Sequence, residues 1–193
     1  MNLLCASNNE NKIIEIRQKL PQNFTISGLK ELGIIEDIPE TADSLEGNAI
    51  QKVEYLYNLK GVNCFADDTG LEVYALGGEP GVYSARFAGP QRNSTHNMNL
   101  LLDKLQGFEN RKARFRTVVA LIFNGEQHLF EGIVEGEIIK EMVGGKGFGY
   151  DPVFQPDGHE ITFAEMSVLE KNKISHRARA INSLVDFLVK KSK

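Results

Sequence analysis

The sequence predicts a mixed α/β protein: one two-lobed unit spanning residues 1–193, with a long mixed sheet flanked by helices. Three observations carry this. Short apolar runs alternate with segments of helical period in the first third of the chain. A long alternating run over Ala113–Phe123 ends in Asn124-Gly125, the strongest hairpin signal present. Helical spacing returns at Ile181, Leu184, Val185 and Leu188 to close the chain. No repeat, low-complexity tract or linker interrupts this order.

The elements follow in turn. Asn2–Ala6 is a short apolar run suited to a buried strand, followed by the turn and cap formers Ser7-Asn8-Asn9. Ile13, Ile16 and Leu20 then take helical spacing as far as Pro21. Phe24–Leu29 reads as a second strand. Ser44 is placed to cap a helix with apolar positions Leu45, Ala49, Val53 and Leu56, ending near Gly61. Val62–Ala66 forms a strand that delivers Asp67-Asp68-Thr69-Gly70, and Leu71–Ala75 continues as another strand. Gly77–Gly89, rich in glycine and holding Pro80, is a loop. His96–Leu105 is a short helix, Ala113–Phe123 a long strand, and Gln127–Ile139 its antiparallel return. Gly144–Gly149 is a second glycine-rich loop, and Ser167-Val168-Leu169-Glu170 is a capping box.

Bulk properties narrow the function. Hydrophobic content of 41% and charged content of 25% suit a globular chain able to bury a substantial core. A net charge of −4 argues against broad nucleic-acid binding. If the ligand is a polyphosphate, positive charge must be local and supplemented by a metal ion. Cys5 and Cys64 lie in apolar runs, as buried thiols of a reducing compartment do. His96, His128, His159 and His176 are too dispersed for a zinc cluster. Neither a signal peptide nor a membrane span is evident, so a cytoplasmic protein with no membrane partner is expected.

Four motifs carry chemistry. Ser7, Asn8, Asn9, Glu10, Asn11 and Lys12 join the first strand to the first helix. Such a turn presents backbone N–H groups and a helix dipole to phosphate, although a polar turn can also be a plain cap. Asp67 and Asp68 are adjacent carboxylates after an apolar strand; their repulsion calls for a partner, and a divalent cation serves. The plain alternative is an aspartate turn closed by Thr69-Gly70. In Gly147-Phe148-Gly149-Tyr150-Asp151-Pro152, glycines permit close backbone approach, aromatics can stack on a base and Asp151 can accept its N–H groups. A tight turn with two core aromatics is the alternative. Lys171, His176 and Arg177 fall around a last-helix start capped by Ser175. Cations there oppose the dipole and need an acceptor.

In this order the motifs resemble the inosine/xanthosine triphosphate pyrophosphatase family, the Ham1-like proteins. The resemblance runs from Ser7–Lys12 through Glu40-Thr41, Asn48-Ala49, Asp67–Leu71, Pro80–Arg86 and Phe148–Pro152 to Ser175-His176-Arg177. It implies a two-lobed α/β fold with a central cleft, usually a homodimer, acting on a purine nucleoside triphosphate such as ITP, dITP or XTP with Mg2+. By it, Ser7, Asn9 and Lys12 hold the triphosphate, and Glu40 and Asp68 are the magnesium-linked carboxylates. Asp68 matches the general base, with Asp67 beside it as the alternative. Lys52 and Thr69 match substrate contacts, as does Arg86. Phe148, Gly149, Tyr150, Asp151, Lys171, His176 and Arg177 match the base-recognition set. Asn8 stands where glycine is common in relatives, a position asparagine tolerates through left-handed backbone; Asn11 also departs from the usual residues. Two further readings are a pyrophosphatase for other modified nucleotides, as in the related septum-inhibitor-like family, and a non-catalytic nucleotide sensor. Nucleic-acid binding through Arg111, Lys112, Arg114 and Arg116 is disfavoured, because strand alternation puts only some of them on one solvated face.

Overall fold

The computed structural model describes residues 2–7, 10–17, 20, 23–34 and 38–191, and the side chains of Glu10, Asn11, Lys12 and Glu15 lie outside that description. The strands are β1 (Asn2–Cys5), β2 (Thr25–Gly28), β3 (Cys64–Val73), β4 (Lys112–Phe123), β5 (Glu126–Ile138) and β6 (Phe154–Pro156). The α-helices are α1 (Glu10–Arg17), α2 (Leu45–Lys60), α3 (Ser94–Lys104), α4 (Val168–Ile174) and α5 (His176–Lys191). The strands form one mixed sheet of order β2-β1-β3-β4-β5-β6. β1 pairs in parallel with β2 and β3, while β5 and β6 are antiparallel. The fold class is mixed α/β, as the sequence predicts.

The chain divides into two compact units. The first comprises 1–68, 117–132 and 177–193; the second comprises 69–116 and 133–176. Each has its own core. In the first, Leu3, Cys5, Phe65, Val119 and Leu121 of the sheet pack with Ile13 and Ile16 of α1 and Ile181, Leu184 and Leu188 of α5. Burial of each such side chain contributes about 1.5–3 kcal/mol. The second core gathers Leu71, Val73, Met98, Leu101, Phe115, Val134, Phe154 and Phe163.

Local chemistry explains the boundaries. The Ser44 side chain accepts the Gly47 N–H at the start of α2, and Gly61 ends the helix in left-handed backbone at φ 64°. Asn124 and Gly125 both take positive φ, 52° and 83°, as a two-residue hairpin turn requires. Ser167 and Glu170 form the expected capping box at α4.

Two expectations change and one strand is new. The two strands expected around Asp67-Asp68-Thr69-Gly70 are one ten-residue strand, β3. Gly70 is not among the glycines with positive φ, so nothing there turns the chain. The Gly77–Gly89 loop contains a 3-10 turn at Gly81–Arg86. β6 escapes a periodicity argument because it has only three residues; Pro156 is tolerated because β6 is an edge strand of the sheet.

Candidate active site

The part of β3 in the first unit, Cys64–Asp68, has α2 against one set of its side chains and α5 against the other. The Cys64 thiol donates to the Val53 carbonyl of α2, and Asp68 also meets α2; Phe65 packs with α5, and Asp67 meets Arg177 of α5. Successive residues of a strand point to opposite faces. The two adjacent carboxylates therefore point to different neighbours, Asp68 to Asn48 and Lys52 and Asp67 to Arg177, although the charge of Lys52 is felt by both. The plain alternative, an aspartate turn closed by Thr69-Gly70, is not what forms, since both carboxylates lie within β3.

On the α2 side, the Lys52 ammonium donates to Glu40 Oε1 at 2.8 Å and to Asp68 Oδ1 at 3.1 Å. Asn48, one helical turn before Lys52, donates to Asp68 Oδ2 at 3.2 Å and accepts the Ala42 N–H through Oδ1. Burial works to lower the Lys52 pKa, but the Asp68, Glu40 and Asp67 carboxylates outweigh it and hold it above the usual lysine value. Asn48 was missed as a site residue. Its signal is a fully buried polar residue beside Lys52 on the stripe of α2 that also carries Leu45, Ala49, Val53 and Leu56.

On the α5 side, the Asp67 side chain is 0% exposed and lies 3.5 Å from Arg177 Nε, itself in a side chain only 3% exposed. Arg177 is in the first turn of α5, where its charge opposes the helix dipole, and Asp67 compensates it. Ser7 follows β1, half-buried, its N–H donating to the Cys5 carbonyl. It lines a cavity of about 270 Å³ with Ile13, Arg17, Gly28 and Lys30 among others. Glu10, Asn11 and Lys12 begin α1; Asn8 and Asn9, and the side chains of those three, lie outside the described residues.

The second unit holds the remaining candidates. Asp151 Oδ2 accepts the Phe148 N–H at 2.9 Å and the Lys171 ammonium at 2.6 Å. Lys171 also sits 4.7 Å from the Phe148 ring centroid and 5.5 Å from that of Phe163. Asp151 thus fastens the glycine loop to α4. Gly147 and Gly149 take φ of 77° and 65°, and a Cβ on Gly147 would collide with the Asp151 carboxylate. The His176 ring stacks on Phe115 at 4.6 Å and 16°. Tyr150, expected in the base-recognition set, is only 4% exposed. Its hydroxyl donates to the Ser84 carbonyl at 2.9 Å, and burial pushes the phenol pKa up. Ser84 is a second missed residue: its hydroxyl accepts the Leu71 N–H and donates to the Gly81 carbonyl, and its carbonyl also accepts from Asn97. The turn it braces ends in Arg86, whose guanidinium lies 5.2 Å over the Tyr83 ring. Thr69 follows Asp68 on β3, half-buried.

The basic run at the start of β4 is engaged internally. Arg111 donates to the Leu105, Ile138 and Ile139 carbonyls, Lys112 pairs with Asp157, and Arg114 and Arg116 pair with Glu72.

Comparison with known proteins matches this arrangement to a family. The model of the Ham1 family matches residues 3–187. A dITP/XTP pyrophosphatase of Flavobacterium psychrophilum is 54% identical over 97% of this chain and 98% of its own. One of Porphyromonas gingivalis is 53% identical over 97% of each chain. The solved structure of the Staphylococcus aureus Ham1 protein superposes with a TM-score of 0.92 at 40% identity, covering 99% of this chain and 100% of that one. With family blocks from Ser7 to Arg177 present in order and the fold shared end to end, the chain belongs to the Ham1 family.

Proposed function

We propose that the chain hydrolyses non-canonical purine nucleoside triphosphates, dITP, ITP and XTP, to the monophosphate and pyrophosphate, in a magnesium-dependent reaction. The observation that carries this reading is the Glu40–Lys52–Asp68–Asn48 group, buried except for the half-buried Glu40, and the names of the relatives support it. Asp68 is the general base: its side chain is 11% exposed and oriented by Lys52 and Asn48, whereas that of Asp67 is enclosed.

Among the described residues no group of three or more His, Cys, Asp and Glu side chains could cage an ion. Magnesium needs only one or two protein carboxylates when phosphates and water complete its shell, so the hard oxygens of Glu40 and Asp68 fit it. Neutralisation of the phosphates and a lowered water pKa are what the ion supplies when bound. Ser7, Asn9 and Lys12, with the first N–H groups of α1, hold the triphosphate. Asp68 takes the proton of the water that attacks the α-phosphorus, and pyrophosphate leaves.

The base is read by the residues of the family's base-recognition blocks. Phe148 offers a ring face, and Lys171, His176 and Arg177 supply donors suited to the 6-oxo group of hypoxanthine or xanthine. Adenine presents an amino group there, leaving donors unpaired at about 1–3 kcal/mol each. Two such mismatches discriminate by roughly a hundredfold or more. Asp151 holds Phe148 and Lys171 in place. The chain works as one functional domain, a homodimer in the cytoplasm; its two buried free thiols suit a reducing compartment. No helix among the described residues is long and apolar enough to cross a membrane.

The test is pyrophosphate release from ITP, dITP, XTP, GTP and ATP, with magnesium and with EDTA. Release from the first three that EDTA abolishes supports the reading. Nucleotide binding without release makes the chain a sensor, and a preference for other modified nucleotides moves the substrate class.

A further inference from the structure

We infer that Lys52 is a built-in counter-ion for the two magnesium carboxylates: its ammonium bridges Glu40 and Asp68, so that the chain binds free magnesium weakly and takes the ion as its complex with the triphosphate. The inference rests on the proposed reading, in which those carboxylates meet the metal and the triphosphate lies beside them.

The Lys52 ammonium donates to one oxygen of each carboxylate, Glu40 Oε1 at 2.8 Å and Asp68 Oδ1 at 3.1 Å. Its side chain is 7% exposed, against 25% for Glu40 and 11% for Asp68, so the cation is the most enclosed of the three and solvent screens it poorly. All three residues belong to the first unit, as do Ser7 and the start of α1, so the argument stays within one compact body. A cation shared by both carboxylates offsets the charge that attracts a second one. Repulsion between a unit charge and a divalent ion a few ångström apart weakens binding by about tenfold or more, even with the screening of water.

Triphosphate reverses that balance. Its oxygens bring negative charge to the ion and offer the ammonium another acceptor. An ammonium has three donors; two of those of Lys52 are on the carboxylates, and the third suits a phosphate oxygen. The carboxylates, meanwhile, have supports besides Lys52. The Ala42 N–H donates to Asn48 Oδ1 at 3.0 Å and the Thr41 N–H to Gln51 Oε1 at 3.0 Å, while Gln51 Nε2 donates to Thr41 Oγ1 at 2.9 Å. These bonds tie the segment after Glu40 to α2. Asn48 also donates to Asp68 Oδ2, as a neutral group. Removing the lysine charge therefore bares the acidic pair without dismantling it.

The experiment titrates chelator-stripped protein with Mg2+ alone by calorimetry, without nucleotide. The proteins are the wild type, Lys52→Met, Lys52→Arg, and Lys52→Met combined with Glu40→Gln. Lys52→Met is expected to bind Mg2+ at least about tenfold more tightly than the wild type. Lys52→Arg, which keeps the charge, should stay within about threefold of the wild type, and the double variant should lose the gain. KM for ITP at saturating magnesium is expected to move the opposite way in Lys52→Met, rising at least about tenfold with the loss of a charged hydrogen bond to phosphate. A merely structural role would weaken both. Equal or weaker Mg2+ binding by Lys52→Met overturns the inference, as does a gain of the same size in Lys52→Arg, a gain that survives Glu40→Gln, or an unchanged KM. Should Lys52→Met not fold, Lys52→Gln is read against the same outcomes. Mg2+ binding by none of the proteins overturns it too. A wild type that releases no pyrophosphate from ITP with magnesium sinks the proposed function itself, a result separate from the titration.

Discussion

Replacing Lys52 by methionine is the sharpest physical test of the catalytic group. Methionine keeps much of the volume but removes the charge that Glu40 and Asp68 share. The lysine side chain is 7% exposed and that of Asp68 11%, so solvent screens this pair poorly. Removing one partner of a buried ion pair costs about 3–5 kcal/mol. For a chain of this size each kcal/mol lowers Tm by roughly 2–4 °C, so a fall of roughly 6–20 °C at neutral pH is expected. The pH dependence follows from the raised Lys52 pKa. A lysine whose folded pKa lies above its unfolded value stabilises fully below the unfolded value, 10.5, and loses that contribution as pH rises through the folded one. The assay is chemical denaturation of both proteins at several pH values. The gap in unfolding free energy should be constant from about pH 7 to 10 and shrink above pH 10.5. A gap below about 0.5 kcal/mol at pH 7, the range of ordinary surface changes, would refute the reasoning. A gap that persists undiminished at high pH would refute the linkage.

Asp68→Asn should reduce pyrophosphate release from ITP by at least about 10²–10⁴-fold, with Tm and circular dichroism showing a folded chain; near-normal turnover removes Asp68 from its role. Gly144→Ala should destabilise by at least about 1–3 kcal/mol, because φ there is 89° and a Cβ would lie 2.6 Å from the Ala164 carbonyl carbon. Gly145→Ala, with nothing within 4 Å of its Cβ, should be close to neutral in the same thermal melt; equal effects would contradict the loop geometry. Burial pushes the Cys64 thiol up to about 12, so at pH 8 iodoacetamide should modify it only as fast as the chain unfolds. Rapid alkylation of native protein, read by mass spectrometry of the Cys64 peptide, would show the site to be open.

Much of this protein is legible in its sequence, because the signals involved are local. Ser44 and Gly61 bound α2 by satisfying the ends of a helix, and Asn124-Gly125 makes a hairpin turn from its own backbone preference. Apolar spacing finds α5 because only one face of that helix is buried. The family blocks likewise sit at readable intervals. Long-range partners are another matter. Sequence alone nominates Asp67 and Asp68 as one acidic pair; the tertiary structure separates them, because β3 runs straight through and packs a different helix against each face. The contacts of Tyr150 and Asp151 are equally invisible in the sequence: the Tyr150 hydroxyl donates to Ser84, and Asp151 Oδ2 accepts from Phe148 and Lys171. Residue type and spacing determine what chemistry a segment can offer. Which atom meets which depends on strand parity and on contacts between residues far apart in the chain, and those are decided only when the chain folds.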